Sequence, residues 1–202
     1  MEQQVVFRKG VRVQLRPLER ADVPTLRRWL NDPEVTQFLM RVLPLMEKEE
    51  EEWLEALHKS TRDIVLGIVG EVSPHGVMCR ELIGTIGLHS IDWRNRVATT
   101  GTVLGEKRYW GMGYGTEAKM LLLDLGFNTL DLYAVQSRVI AHNDRSVAYS
   151  KKCGYREVGR LPRWVRGSDG ERYDEVLLAV TQEEWRPLWR AYCERRVETC
   201  SA

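Results

Sequence analysis

The chain is 202 residues long, 43% hydrophobic, and carries a formal net charge of +1. That length suits a single domain with a modest extension, and so balanced a charge excludes a function resting on bulk attraction to nucleic acid or an anionic membrane. The four cysteines, Cys79, Cys153, Cys193 and Cys200, form no CxxC pair. Their scatter argues against structural zinc or a disulfide scaffold and fits a reducing, cytoplasmic setting. No run approaches the ~18 apolar residues of a spanning helix, and the opening MEQQVVFRKG lacks the apolar stretch of a secretory signal.

In chain order, Val11–Arg16 alternates and predicts a strand. Asp22 then caps a helix to about Leu30, with Pro24 early in it. Asn31-Asp32-Pro33 breaks that helix, and a short helix or turn runs on to Met40. Pro44 precedes an acidic helix from about Met46 to His58, in which Trp53, Leu54 and Leu57 form the buried stripe. Ile64–Val69 and Leu82–His89 predict strands joined through Ser73-Pro74-His75-Gly76. The β-branched run Val97–Leu104 predicts another strand, and a helix follows to about Asn128. Tyr133–Ala141 is an apolar strand, and a helix over Asp144–Cys153 ends at Gly154, suited to a left-handed cap. Tyr155–Val165 and Arg172–Val180 pair around Gly167–Gly170, and Thr181 with Glu184 forms a capping box for a last helix. The order predicts a mixed α/β sheet with helices on both faces, not an all-parallel winding.

Between the Val97–Leu104 strand and its helix lies Arg108-Tyr109-Trp110-Gly111-Met112-Gly113-Tyr114-Gly115-Thr116. A glycine-rich turn feeding a helix start leaves backbone N–H groups unpaired at the positive end of the helix dipole, a site for phosphate. Glycine lets the anion approach because no Cβ intervenes. No Gly-Lys-Ser/Thr triplet makes it a P-loop. A dinucleotide fingerprint would want glycine where Thr116 stands, and would open the first βαβ unit instead of lying mid-chain.

Arg108-x-x-Gly111-x-Gly113 resembles the signature of the GNAT superfamily of N-acetyltransferases. Asn143-x-x-Ser146 with Lys152-x-Gly154-Tyr155 is similar to a second family segment. Leu15-Arg16-Pro17-Leu18, Asp22, Trp29-x-Asn31-Asp32-Pro33, Gly170-x-x-x-Asp174 and Glu183-Glu184-Trp185 resemble its RimJ/RimL-like branch, so the resemblance covers about residues 11–186. It implies one domain over residues 1–202 with a C-terminal helical extension, built on a mostly antiparallel sheet with one splayed parallel strand pair. It also implies acetyl-CoA as co-substrate, no metal, an amine acceptor and a possible homodimer, with neither nucleic acid nor membrane as partner.

On this resemblance the turn Arg108, Tyr109, Trp110, Gly111, Met112, Gly113, Tyr114, Gly115 and Thr116 cradles the pyrophosphate. Arg108 either adds a charge or caps the turn; Tyr109 and Trp110 either pack under it or stack on adenine. Val103 and Leu104 offer backbone bonds to pantetheine, Val135–Ile140 forms the opposite wall, and a strand N–H near Val103 polarises the thioester. Asn143, with Ser146 beside it, either bonds the pantetheine arm or is a plain N-cap. Many family members carry a tyrosine acid where this chain has Ser150, which is assigned to the reacting sulfur or a water; Tyr149 is expected to face elsewhere. Thr99 stands where a glutamate base is common, leaving His89, Asp92 and His142 as options.

The resemblance leaves the acceptor open. An α-amine of pKa ~7.7–8.0 is neutral in roughly one molecule in ten at pH 7, and an alkyl amine in only about one in two thousand. A site lacking an obvious base therefore favours a peptide or protein N-terminus. The acidic Glu47–Glu52 segment favours a polyamine or aminoglycoside, or is a solvated helix face. The missing tyrosine and glutamate also leave open a non-catalytic acyl-CoA sensor.

Overall fold

The computed structural model describes residues 5–39, 43–72, 79–167 and 169–201. The expected Ser73–Gly76 turn and the Met40 end of the second helical segment lie outside them. The strands are β1 (Arg8–Lys9), β2 (Val13–Pro17), β3 (Ile64–Val72), β4 (Cys79–Asp92), β5 (Val97–Leu104), β6 (Ala134–Ile140), β7 (Arg156–Arg166) and β8 (Arg172–Thr181). They form one sheet in the order β1-β2-β3-β4-β5-β6-β8-β7. Every adjacent pair is antiparallel except β5–β6. The helices are α1 (Val23–Leu30), α2 (Pro33–Thr36), α3 (Glu47–Lys59), α4 (Tyr114–Asp124), α5 (Asp144–Lys152) and α6 (Gln182–Ser201). None of the described helices is long and apolar enough to cross a membrane.

Two apolar layers cover the sheet. On one face α4 buries Ala118, Leu121 and Leu122 against Leu66, Ile68, Ile86 and Leu88. On the other, α1 and α3 bury Leu26, Trp29 and Leu54, with Val65 and Val103 of the sheet packed against them. Side chains alternate along a strand, so neighbours such as Val65 and Leu66 serve opposite layers. Fully burying residues of this size contributes about 1.5–3 kcal/mol each.

Local chemistry sets most boundaries. β5 carries the β-branched run and spans the expected Val97–Leu104. Gly154 takes φ +94° just past α5, as the left-handed cap requires. Thr181 and Glu184 exchange hydrogen bonds at the start of α6. Two expectations change. Asp22 stands at the N-cap of α1 but makes no side-chain cap bond. Its carboxylate instead accepts 2.7 Å bonds from both terminal nitrogens of buried Arg16. A buried guanidinium needs a counter-charge more than a helix needs a cap. In α3, Leu54 is buried but Trp53 is 38% exposed, and Glu50 joins the buried side instead.

Candidate active site

β5 and β6 pair only at Val97–Ala134, Ala98–Val135 and Thr99–Gln136. Beyond that point β5 follows β4 as far as Leu104, and β6 follows β8 as far as Ile140. The parallel pair therefore forks. A cavity of about 510 Å³ fills the fork, with residues 100–104 on one wall and 137–140 on the other. Gly105 N–H bonds to Ile83 O, and the β4–β5 register runs unbroken from Gly84–Leu104 to His89–Thr99. Antiparallel alternation then turns the amides of Gly101 and Val103 toward β4, and those of Thr102 and Leu104 toward the fork. This corrects the placement of a donor at Val103. The Leu104 carbonyl is already taken by Trp110 Nε1 at 2.7 Å.

At the fork's open end, Gly111 and Gly113 take φ +75° and +89°. Such angles suit glycine and turn successive amides to one side. Among the described residues, the N–H groups of Gly111, Gly113, Tyr114, Gly115 and Thr116 have no protein acceptor. Gly111, Gly113, Gly115 and Thr116 line the cavity. Of the other turn residues, Tyr109 and Trp110 also border the cavity, whereas Arg108, Met112 and Tyr114 do not. The Arg108 guanidinium pairs with Glu81, which raises its pKa, and does not line the cavity. Tyr109 is buried, donates to Glu81 and meets Tyr114 edge-on with ring centres 5.1 Å apart. Tyr114 is buried and donates to Glu71 O at 3.2 Å. Met112 is exposed and does not line the cavity, and its carbonyl accepts from Arg12 at 3.1 Å. Two nearby cations, Arg12 and Arg145, are ones the sequence reading missed, while Lys152 of the second family segment also lines the cavity. Arg12 Nη2 lies 3.2 Å from the position a Cβ on Gly113 would take. Arg145 lines the cavity with its guanidinium 5.0 Å from the Trp110 ring centre.

α5 forms the far wall. The Asn143 side-chain oxygen caps the helix by accepting from Ser146 N at 3.1 Å. Both residues also line the cavity, and the Asn143 amide nitrogen has no protein partner among the described residues. Ser150 does not reach the cavity. It is fully buried, and its hydroxyl accepts from buried Lys119 at 3.1 Å. Tyr149, expected to face elsewhere, is on the cavity wall instead. Lys119 Nζ lies 4.4 Å from the Tyr149 ring centre and 4.8 Å from that of Tyr155. Aromatic faces and one hydroxyl thus satisfy an ammonium that water does not reach. Burial pushes the neighbouring Cys153 thiol up to about 12, a packing cysteine and not a nucleophile.

A second cavity, about 420 Å³, lies between α1, α3 and the β3–β5 face. Trp29, Glu49, Glu50, Trp53 and His89 are on its walls. It shares Leu39, Gly101, Thr102 and Val103 with the first. The Thr102 hydroxyl at this junction is buried and has no hydrogen-bond partner among the described residues. Of the other base options, Asp92 is used by its own turn. It accepts from the Arg94 and Asn95 amides, which keeps its carboxyl below the ordinary range, the Asn95 bonds contributing most. His142 makes tilted ring contacts with Phe38 and Tyr173, with ring centres 5.2 and 3.9 Å away. Thr99 accepts from Gln136 Nε2 at 2.9 Å.

Residues 12–156 match the acetyltransferase (GNAT) domain family. The chain is 26% identical to the uncharacterized N-acetyltransferase p20 of Bacillus licheniformis over 182 residues, 86% of this chain and 95% of that protein. A crystal structure from T. thermophilus, provisionally assigned as an acetyltransferase, superposes with a TM-score of 0.73 at 30% identity, covering 96% of this chain and 99% of the other. The spermidine N-acetyltransferase of Vibrio cholerae, in complex with CoA and spermine, shares the fold with a TM-score of 0.77 at 20% identity, over 86% of this chain and 98% of that one. The forked sheet is thus an acyltransferase scaffold, and the chain belongs to the GNAT acetyltransferase family.

Proposed function

We propose that this protein transfers the acetyl group of acetyl-CoA to a primary amine by direct attack on the thioester. The observation that carries this reading is the set of five unpaired amides, four of their residues on the cavity wall, at the mouth of a forked strand pair. A diphosphate accepts from several such donors, each charge-assisted bond being worth about 1.5–3 kcal/mol, with Arg12 and Arg145 at hand as cations. Pantetheine then extends along β5, where the amides of Thr102 and Leu104 complete a ladder that β6 has abandoned. The Asn143 amide nitrogen and Ser146 hold the arm from the other wall. One fork-facing amide polarises the thioester carbonyl. The thiolate leaves toward the N-terminal end of α5, whose dipole favours negative charge, with Tyr149 on the same wall.

The amine enters through the second cavity and meets the thioester across Gly101–Val103. A peptide or protein α-amine is the leading acceptor, because it supplies the neutral nucleophile most readily near pH 7. A polyamine or aminoglycoside is the second, favoured by Glu49 and Glu50 on the cavity wall. Glu49 also accepts from the Met46 amide at 2.9 Å, and further α3 acids form surface pairs, Glu47 with Arg27, Glu51 with Arg20 and Glu52 with Lys48. They contribute less to attracting a cation than their number suggests.

A thiol-release assay with acetyl-CoA tests the reading. The panel is a peptide with only its α-amine free, the same peptide with only its lysines free, spermidine, spermine and an aminoglycoside. Turnover of the first alone supports an N-terminal acceptor. Turnover of the cations, lost at high salt and in Glu49→Lys, supports the second. CoA binding with no thiol release from any amine would make the protein a non-catalytic sensor.

A further inference from the structure

His89 lies on β4 where the two cavities approach each other, and its surroundings give the imidazole a direction. Its Nδ1 faces Asp63 Oδ1 at 3.6 Å. That carboxylate is itself fixed, accepting from Ser90 N at 3.1 Å and from the Ser60 hydroxyl at 2.8 Å. The opposite ring nitrogen points along the sheet toward the pair Gly87–Gly101, directly opposed across β4 and β5. A Cβ added at either glycine would lie 3.0 or 3.1 Å from His89 Nε2. Two glycines thus leave bare backbone beneath this nitrogen, and one of them, Gly101, borders both cavities. Nε2 has no hydrogen-bond partner among the described residues. His89 also stands opposite Thr99 in the register, so the imidazole occupies the strand next to the uncharged threonine.

We infer that His89 is the general base of this site, with Asp63 as its positioning residue. The inference rests on the acetyltransferase reading and supplies the base that reading lacked. Asp63 holds the proton on Nδ1, leaving the Nε2 lone pair directed at Gly101. The acceptor nitrogen, arriving through the second cavity, attacks the thioester carbonyl carbon from the fork. As the C–N bond forms, Nε2 takes the proton from that nitrogen. The C–S bond then breaks, the electron pair stays on sulfur, and the CoA thiolate departs. The charged groups around the imidazole are Asp63 from the turn after α3, and Glu49 and Glu50 from α3 across the cavity. β5 contributes only Thr99 and Gly101 on this side; Asp63 is the carboxylate against the ring, and Arg62 beside it turns its Nε to the Ile91 carbonyl.

The test uses the full chain, with the best acceptor from the amine panel as substrate. His89→Ala should lower kcat/KM by about a hundredfold or more, the usual span of general-base catalysis. CoA affinity and thermal stability should change little. Imidazole and methylimidazoles added to His89→Ala should restore turnover, the more basic ones more strongly. Asp63→Asn should lower kcat about tenfold while the acceptor KM stays put, as expected for a residue that orients the base. Activity of His89→Ala within threefold of the parent at every pH would overturn the inference while leaving the acetyltransferase reading intact. So would a loss that imidazole does not relieve and that accompanies a fall in melting temperature. Absence of thiol release from the parent protein with every amine would overturn both.

Discussion

Arg16 and Asp22 form a bidentate pair that is almost wholly enclosed, with Arg16 only 4% exposed and its Nε atom already without a partner among the described residues. The pairing raises the Arg16 pKa, chiefly through the hydrogen bonds to Asp22, so the guanidinium stays charged. Asp22→Ala should therefore cost about 3–5 kcal/mol, the penalty for stranding a buried charge. Urea unfolding of the variant would show it, and a loss near ~1 kcal/mol would mean that Asp22 acts only as a helix cap. The same pair marks what single residues reveal before a structure exists. Gly111, Gly113 and Gly154 announced themselves because a positive φ is a local demand. Asp22 did not, because its carboxylate serves the Arg16 guanidinium and the Glu19 amide instead of the amides of α1. Ser150 was misplaced for a related reason. Family spacing put it at the reacting sulfur, but the buried Lys119 on another helix claims its hydroxyl.

Among elements, α6 begins with the most strongly perturbed exposed carboxylate described. Glu184 accepts from the Thr181 amide and hydroxyl and from Arg156, which together hold it at about 2, below its ordinary 4.5. A carboxylate lowered on folding adds stability above its unfolded pKa and loses it as pH falls through the folded one. Glu184→Gln should thus lower the melting temperature at pH 7, with the difference shrinking below pH 4.5 and gone by about pH 2. Solvent screening keeps the effect under about 1 kcal/mol. A difference independent of pH would assign the effect to helix propensity instead. This capping box was legible because its parts are three residues apart. The extension of β4 to Asp92 was not, since Ser90 and Asp92 carry no alternating apolar signal, and Asp92 pairs with Val97 of β5 only past an irregularity after His89.

For the whole molecule, the deciding feature is the fork. The resemblance implied a splayed parallel pair, which the structure bears out; the residues of β5 and β6 alone do not state that they part after Thr99 and Gln136, which follows from β4 and β8 drawing them to opposite sides. The glycine turn could be read directly, whereas the choice of Thr102 and Leu104 over Val103 as fork-facing donors needed the register. CoA at about a hundred times its dissociation constant should stabilise the fold by about 2.7 kcal/mol, a rise in melting temperature of roughly 5–10 °C for a chain this size. Amide exchange should slow at Thr102, Leu104 and residues 113–116 in the same experiment. Stabilisation without protection of those amides would move the ligand elsewhere. The two cavities share Gly101, Thr102 and Val103 of β5 but draw the rest of their walls from different elements. On the proposed reading, a donor seated in the fork leaves the acceptor's doorway clear, and neither has to depart before the other arrives. The acyl group would then pass between two guests held together, with no side chain of the protein carrying it in between.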